Sequence, residues 1–83
     1  MNKQFIKNNS DLVTINGVDI YVTYRGSDRF RGAATVYSDS KITNSLISKA
    51  LKMRFGRDFE FNQNLPDTAE AFGFKTVKIF QTV

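Results

Sequence analysis

Basic side chains and hydroxyls recur at helical spacing in the middle of the chain. Between Ser40 and Gly56 there are four basic residues and no acidic residue. Positions three or four apart lie on one side of an α-helix, so lysines and serines at this spacing form a single ridge. Such a ridge suits the phosphates of a nucleic-acid backbone, and a solvated helix face is the alternative interpretation. The candidate nucleic-acid contacts are Lys41, Ser45, Ser48, Lys49, Lys52, Arg54 and, one residue beyond Gly56, Arg57.

The segment from Arg25 to Gly32 is a second candidate, because arginines and one aromatic ring lie between two glycines. Guanidinium groups bind phosphate in a forked geometry, and an exposed ring stacks on an unpaired base. We expect this connection and the basic helix to form one patch on the helix side of the sheet. The alternative is a hairpin loop in which Phe30 lies under the sheet and Asp28 pairs with an arginine. The candidate contacts here are Arg25, Arg29, Phe30 and Arg31.

Three aromatic side chains offer a further route to binding. Strand alternation predicts that Tyr21, Phe74 and Phe80 share one face of the sheet. On an open face such rings form a stacking platform for single-stranded RNA. The alternative is that they belong to the core or to a subunit interface.

The chain has no histidine and no cysteine. This excludes an imidazole base, a thiolate nucleophile, a disulfide framework and the usual zinc sites. The carboxylates occupy turn, cap and strand-edge positions without a metal-ligand spacing, so we expect no metal, no cofactor and no catalytic residue. A histidine-independent ribonuclease-type toxin, acting through Tyr24, Tyr37 and the arginines, ranks below the binding hypotheses.

The strongest structural pattern is a β-hairpin at Asn16-Gly17. This pair lies between two β-favouring runs and predicts a two-residue type I′ turn, since both residues adopt positive φ there. Pairing outward from the turn puts Ile15 opposite Val18 and, further out, Leu12 opposite Tyr21. Valines and isoleucines then fall on one face, so turn chemistry and hydrophobic alternation agree.

The remaining elements follow from caps and periodicity. A third strand is expected over 33–37, and a helix over 41–55 capped by Ser38, Asp39 or Ser40 and stopped by Gly56. Its apolar stripe runs through Ile42, Leu46, Ala50 and Met53, and it is widened by Ile47 and Leu51. A strand over 57–62, a helical turn over 68–72 capped by Asp67, and a strand over 74–83 complete the chain. The last strand is apolar on both faces, which predicts a central position or a partner.

The fold class is therefore α+β: a small single domain of order β-β-β-α-β-(short α)-β, with a mainly antiparallel sheet and one amphipathic helix on a face. The chain has 83 residues, a net charge of +4 and 41% hydrophobic residues, which suits one folded domain. We expect residues 1–11 to be an N-terminal extension or edge segment and residues 12–83 to be the domain. No run resembles a secretory signal or a membrane span, so we expect a cytoplasmic protein without a membrane partner.

Localised charge without catalytic groups predicts a small basic nucleic-acid-binding protein, with RNA favoured over DNA. The alternative is a protein-binding inhibitor or self-assembling module, in which the basic face meets an acidic protein target or the chain forms a homo-oligomer. In composition, rich in Asn, Lys, Ser and Phe and lacking His, Cys and Trp, the chain resembles accessory proteins of AT-rich bacteriophages. That resemblance implies an inhibitor or counter-defence factor acting in the host cytoplasm.

Overall fold

A five-stranded sheet runs through the computed structural model, which describes residues 2–27 and 30–83 and, at residues 27, 30 and 31, the backbone alone. Hydrogen-bonded neighbours in the sheet are antiparallel, in the order β1-β2-β3-β5-β4. This confirms the α+β class and the mainly antiparallel sheet. The strands are β1 (Asp11–Ile15), β2 (Val18–Ser27), β3 (Phe30–Ser38), β4 (Phe59–Asn64) and β5 (Thr76–Thr82); the helices are α1 (Lys3–Asn8), α2 (Asn44–Phe55) and α3 (Pro66–Phe72).

The predicted hairpin is confirmed residue by residue. Ile15 lies opposite Val18 and Leu12 opposite Tyr21 in the β1–β2 ladder. Asn16 has φ of 51° and Gly17 has φ of 75°, as a type I′ turn requires. Local turn chemistry and the hydrophobic pattern were therefore sufficient to define this unit.

The predicted loop from Arg25 to Gly32 is mostly strand, which corrects its extent. β2 continues to Ser27 and β3 starts at Phe30, so residues predicted to lie in a loop pair across the ladder. Gly26 and Gly32 provide space here, not unusual backbone angles. A Cβ on either glycine would lie 2.6 Å from the Tyr24 hydroxyl oxygen, so the tyrosine ring lies across both positions only because they carry no side chain.

Helix α2 begins later than the periodicity predicts. Its N-cap is Thr43, whose side chain accepts a hydrogen bond from the Leu46 amide at 3.2 Å, so the predicted caps at residues 38–40 are wrong. The segment that precedes α2 is hydrogen-bonded to β5 instead. The Thr76 hydroxyl donates to the Ser40 carbonyl at 2.8 Å and accepts from the Ile42 amide at 3.4 Å, which ties this segment to β5 and prevents an earlier helical turn.

In the second half of the chain, the ends of the elements also differ from the predicted ones. The predicted cap at Asp67 is wrong, because Pro66 starts α3, Asp67 lies in its first turn and Leu65 is an N-cap without a side-chain hydrogen bond. β4 starts at Phe59 and extends past the predicted end, with a register irregularity between Phe61 and Gln63. A proline at the first helical position replaced the side-chain cap that spacing suggested.

The sheet is covered on both faces. On one side α2 packs on a core that contains Val22, Val36 and Phe80. On the other side the short helices α1 and α3 supply Ile6 and Ala69 to a smaller cluster with Val77 and Phe74. Phe80 and Val77 both have 0% exposure, so the prediction that the last strand is apolar on both faces and lies inside the sheet is confirmed.

Two details of this layering were not predicted. Phe74 lies between Gly73, the left-handed cap of α3, and the start of β5 at Thr76. Strand alternation therefore does not extend back to Phe74, which packs with Val77 and does not share a face with Phe80. The segment 1–11 contains α1, whose N-cap Asn2 accepts a hydrogen bond from the Phe5 amide at 2.8 Å. Among the described residues, no helix has the length and apolar character needed to cross a membrane.

Candidate nucleic-acid interface

The outer surface of α2 carries the sequence-predicted basic residues. Ile47, Ala50 and Leu51 are fully buried against the sheet, which leaves Ser45, Lys49 and Lys52 exposed on the outside. Met53, predicted to lie in the apolar stripe, is 65% exposed, so that part of the prediction is wrong. Ile47 and Leu51, which were predicted to widen the stripe, lie at its buried centre, and α2 contacts β1 and β4.

The late start of α2 divides the predicted ridge. Lys41 is exposed in the segment before the helix, and Ser48 is half-buried. Ser45, Lys49 and Lys52 keep the helical spacing and remain neighbours on one surface. The continuous four-residue ridge that begins at Lys41 is therefore wrong, while its C-terminal part is a genuine exposed surface.

Two cations of this surface have acidic partners that the local sequence did not reveal. The Lys52 ammonium lies 3.4 Å from an Asp58 carboxylate oxygen, and Arg54 lies 3.4 Å from an Asp11 carboxylate oxygen. Both pairs are well exposed, so each contributes at most about 1 kcal/mol and exchanges readily for another anion. Within the described residues, Lys41 and Lys49 form no ion pair.

Arg57 has a structural partner at the C-terminal end of α2. Its guanidinium donates a 3.0 Å hydrogen bond to the Tyr24 hydroxyl. The Tyr24 ring lies edge-on to Phe59, at 5.7 Å between centroids, and 4.9 Å from Phe55. Arg57 thus fastens the aromatic end of the α2-side core, and its remaining N–H groups are the part available to a ligand.

An exposed aromatic ring lies on the same side of the sheet and was missed as a functional candidate. Phe61 is 43% exposed and packs edge-on against Phe80 at 5.8 Å between centroids. The Lys78 ammonium lies 5.8 Å from the Phe61 ring centroid and donates a 2.7 Å hydrogen bond to the Asn44 side chain at the start of α2. The alternation in β4 placed both of its phenylalanines on one face, but only strand pairing showed that Phe61 lies beside a cation.

The described cations concentrate on the α2 side of the sheet. Six of them lie on α2, beside it or on the strand face beneath it, and only Asp11 and Asp58 contact that group. On the other side, Lys3 and Lys7 both pair with Asp39. The uneven distribution gives the α2 side a positive field that attracts polyanions. The six cations are Lys41, Lys49, Lys52, Arg54, Arg57 and Lys78.

Arg25 lies on the opposite side of the sheet, which overturns the prediction of one patch including it. Tyr24 points toward α2, so its strand neighbour Arg25 points away, where it lines a cavity with Tyr37 and α1. Arg29 lies outside the described residues, as do the side chains of Phe30 and Arg31.

The predicted aromatic platform is not assembled. Phe80 is fully buried on the α2 side, whereas Phe74 is 5% exposed in the cluster on the other side. Tyr21 packs against Phe74 at 6.5 Å between centroids, and the ammonium groups of Lys3 and Lys7 lie over the Phe74 and Tyr21 rings at 5.1 and 5.3 Å. These rings hold α1 on the sheet and present no open stacking face.

The lysines of α1 and Asp39 form a small electrostatic clamp. Lys3 and Lys7 both contact the Asp39 carboxylate, Lys7 at 3.0 Å, and Lys3 also donates to the Gly73 carbonyl at 3.1 Å. The hydrogen bond from Lys3 is the main reason that the pKa of Asp39 is lowered. The hydrogen bond to Asp39 likewise raises the pKa of Lys7. These two cations are engaged in holding α1 in place.

Comparison with known proteins adds no family to this description. The chain matches no protein-family model, no curated protein and no solved structure with which it was compared. Function must therefore be argued from charge, exposure and contacts.

Residues considered for catalysis do not meet. Tyr24 and Tyr37 point to opposite faces of the sheet, because they belong to the α2-side core and to the α1-side cluster respectively. Across the described ranges, no three Asp or Glu residues lie close enough together to hold a metal ion. The sequence-predicted ribonuclease constellation is thus not brought together by the fold.

Proposed function

We propose that the protein binds nucleic acid along the α2 side of its sheet and that single-stranded RNA is the preferred class. The observation that carries the proposal is the concentration of described cations around α2, with only two acidic contacts among them. Binding through phosphate contacts needs a positive surface of this kind and no catalytic group.

Four of these cations contact phosphates in this proposal. Lys41 and Lys49, which form no ion pair in the described part of the chain, contact phosphates directly. Lys52 and Arg54 exchange their exposed carboxylate partners for phosphate, at little cost because such pairs are weak. The exposed Ser45 hydroxyl contributes a neutral hydrogen bond on the same surface.

The preference for unpaired RNA is supported by Phe61 and by the strand that precedes α2. An exposed ring beside the Lys78 ammonium suits a splayed base next to its phosphate, whereas the bases of duplex DNA are not available for stacking. α2 follows strand β3 and not another helix, so it is not the recognition helix of a helix-turn-helix pair. Sheet and helix together favour a single strand laid along the surface.

The experiment compares two charge reversals that change the net charge equally. Lys49→Glu alters the α2 surface, and Lys75→Glu alters an exposed position two residues after Gly73, at the end of α3. Fluorescence anisotropy with a labelled single-stranded RNA, its DNA equivalent and a DNA duplex measures affinity between about 50 and 200 mM salt. Lys49→Glu is expected to weaken RNA binding about tenfold and to lower the salt slope by about 0.7 or more, because at least one phosphate contact with the single strand is lost. Lys75→Glu should retain most of the affinity.

Equal losses in the two variants would show a non-specific dependence on net charge and would contradict the assignment to α2. Phe61→Ala separates the strand classes, because it removes the ring without changing charge and should weaken RNA binding more than duplex binding. The 260/280 nm ratio of the purified protein, before and after high salt, is an independent check. A protein that never carries nucleic acid and forms a defined oligomer would favour the interaction-module alternative.

A further inference from the structure

A cavity of about 260 Å³ lies between α1 and the sheet, on the side opposite α2. A dry engineered cavity of about 150 Å³ holds benzene, so this space accommodates a ring that carries one substituent. Its walls come from α1, the two residues that follow it, β2 and the end of β3. The cavity is therefore formed only because the N-terminal segment folds back onto the sheet.

One part of the wall is apolar. Phe5 and Ile6 of α1 and the Tyr37 ring line this part. Ile6 is 5% exposed, whereas Phe5 is 50% exposed and stands at the opening. Two hydrophobic side chains and a ring suit a flat apolar body rather than a hydrated ion.

The hydroxyls of Ser10 and Thr23 in the wall already donate hydrogen bonds within the protein. Ser10 donates to the Ile6 carbonyl at 2.6 Å and lies 3.2 Å from the Thr23 hydroxyl. Because a hydroxyl has a single proton, Thr23 is the donor in that second bond. Asn9 uses one of its amide protons on the Phe5 carbonyl at 2.8 Å. These hydrogen bonds fix the shape of the wall, and the second amide proton of Asn9 can donate to a ligand.

The strongest unengaged donors are Arg25 and Tyr37. In the described part of the chain, neither side chain makes a hydrogen bond or ion pair, and no carboxylate lines the cavity. Burial raises the pKa of the Tyr37 hydroxyl, with nearby Arg25 acting in the opposite direction. The phenol therefore keeps its proton at neutral pH and can donate it. The cavity therefore combines a guanidinium and a phenol with an apolar wall, and this set of groups is complementary to an anion on a ring.

We propose that this cavity is a binding site for a small aromatic oxyanion, a single ring bearing a carboxylate or a phosphate. The oxyanion accepts hydrogen bonds from the Arg25 guanidinium and the Tyr37 hydroxyl, and the ring lies against Phe5 and Ile6. A carboxylate is planar and a phosphate is tetrahedral, but each presents a pair of oxygens that the arginine fork binds.

This site is independent of the proposed nucleic-acid surface, because the sheet separates them. Lys49 lies on α2, whereas Arg25 points away from it, so each proposal fails or succeeds without the other. Lys49→Glu should leave the cavity unaffected, and it serves as a control in the test below.

The test is a titration of the isotope-labelled protein followed by amide chemical shifts. Three probes of similar size are compared: benzoate, phenyl phosphate and neutral benzyl alcohol. We expect one of the two anions to perturb the amides of residues 5–10, 23–25 and 37, with a Kd of about 1 mM or lower. Benzyl alcohol should bind at least about tenfold more weakly, and the stronger anion identifies carboxylate or phosphate as the preferred group.

Variants locate the contacts. Arg25→Met keeps the length of the side chain and should reduce anion affinity about tenfold or more. Arg25→Lys retains the charge but loses the forked geometry, so its anion affinity should lie between those of the wild type and Arg25→Met. Tyr37→Phe removes only the hydroxyl and should cost about two- to tenfold. Equal binding of benzyl alcohol and the anions would overturn anion recognition. Shift changes confined to α2, or abolished by Lys49→Glu, would overturn the location, and no change with any probe would overturn the site.

Discussion

The two sides of the sheet use lysine in opposite ways. On the α1 side, Lys3 and Lys7 are committed to Asp39 and to the rings beneath them. On the α2 side, Lys49 extends into solvent without an ion pair in the described residues, and Lys52 has only an exposed partner. The same residue type thus holds structure on one side and forms a surface on the other.

Helix length accounts for much of this difference. α2 has 12 residues, three of them fully buried, so apolar packing is the main contact that holds it on the sheet. α1 has six residues, of which only Ile6 is buried, and a helix this short is unstable by itself. A helix with little apolar area needs polar contacts to stay docked, and those contacts occupy its cations. A longer helix leaves its cations available.

The largest expected effect is loss of nucleic-acid binding when the α2 surface is reversed. Replacing Lys41, Lys49 and Lys52 together with Glu should reduce affinity by more than about 100-fold and lower the salt slope by at least about 2, since each phosphate contact contributes about 0.7 to 0.9. Fluorescence anisotropy over a salt series measures both. A double reversal on α1, at Lys3 and Lys7, should leave the slope nearly intact. A folded triple variant that binds like the wild type would refute the assigned surface.

The next effect separates the two cores. Leu51 is fully buried on the α2 side, and Leu51→Ala should lower the free energy of unfolding by about 3 kcal/mol through the cavity it creates. Ile6→Ala should cost less in global denaturation, because α1 can undock while the sheet stays folded. Met53→Ala is the exposed control and should change stability by less than about 0.5 kcal/mol. Equal global costs for the first two variants would mean that α1 belongs to the same cooperative unit as α2.

Removing the N-caps tests the same contrast with a smaller change. Thr43→Ala deletes the hydroxyl that caps α2 and should lower global stability by about 1 kcal/mol, measured by urea denaturation. Asn2→Ala removes the corresponding cap of α1. Its effect should be confined to faster amide exchange in residues 3–8, because that helix opens locally. A global loss from Asn2→Ala as large as that from Thr43→Ala would remove the distinction.

The smallest expected effect concerns the Asp39 clamp and pH. The pKa of Asp39 is lowered in the folded protein, so its stabilising contribution is present above the ordinary carboxyl pKa near 4 and is lost as pH falls through the folded value. Hydrogen exchange of the α1 amides, corrected for the intrinsic pH dependence of exchange, should therefore show lower protection on acidification below about pH 4. Asp39→Asn should show reduced protection already at neutral pH and little further change. If the variant retains the wild-type acid response, another carboxylate holds α1.

Sequence reasoning succeeded where the determinants were local. The Asn16-Gly17 turn and the alternation around it specify a register that no distant residue alters. The start of α2 was missed because Thr76, distant in sequence, holds the backbone at Ser40 and Ile42. Phe74 was put on the wrong face because strand alternation was extended past the true start of β5.

The candidate surface shows the same division. The sequence alone predicted exposed basic residues on the helix that became α2, since charge and 3.6-residue periodicity are local properties. It did not predict that Asp11 and Asp58 approach Arg54 and Lys52, nor that Phe61 lies beside Lys78, because strand pairing and helix docking bring these residues together.

By itself, the sequence determined the α+β class, the hairpin and its register, the two apolar faces of the last strand, and a basic helix without histidine or cysteine chemistry nearby. Only the tertiary structure decided which face each arginine and aromatic ring occupies, and it put Arg25 and the α2 lysines on opposite sides. The physical reason is that a shift of one residue in strand register moves every side chain of that strand to the other face of the sheet. That choice is made by packing and hydrogen bonds between segments that are far apart in the chain.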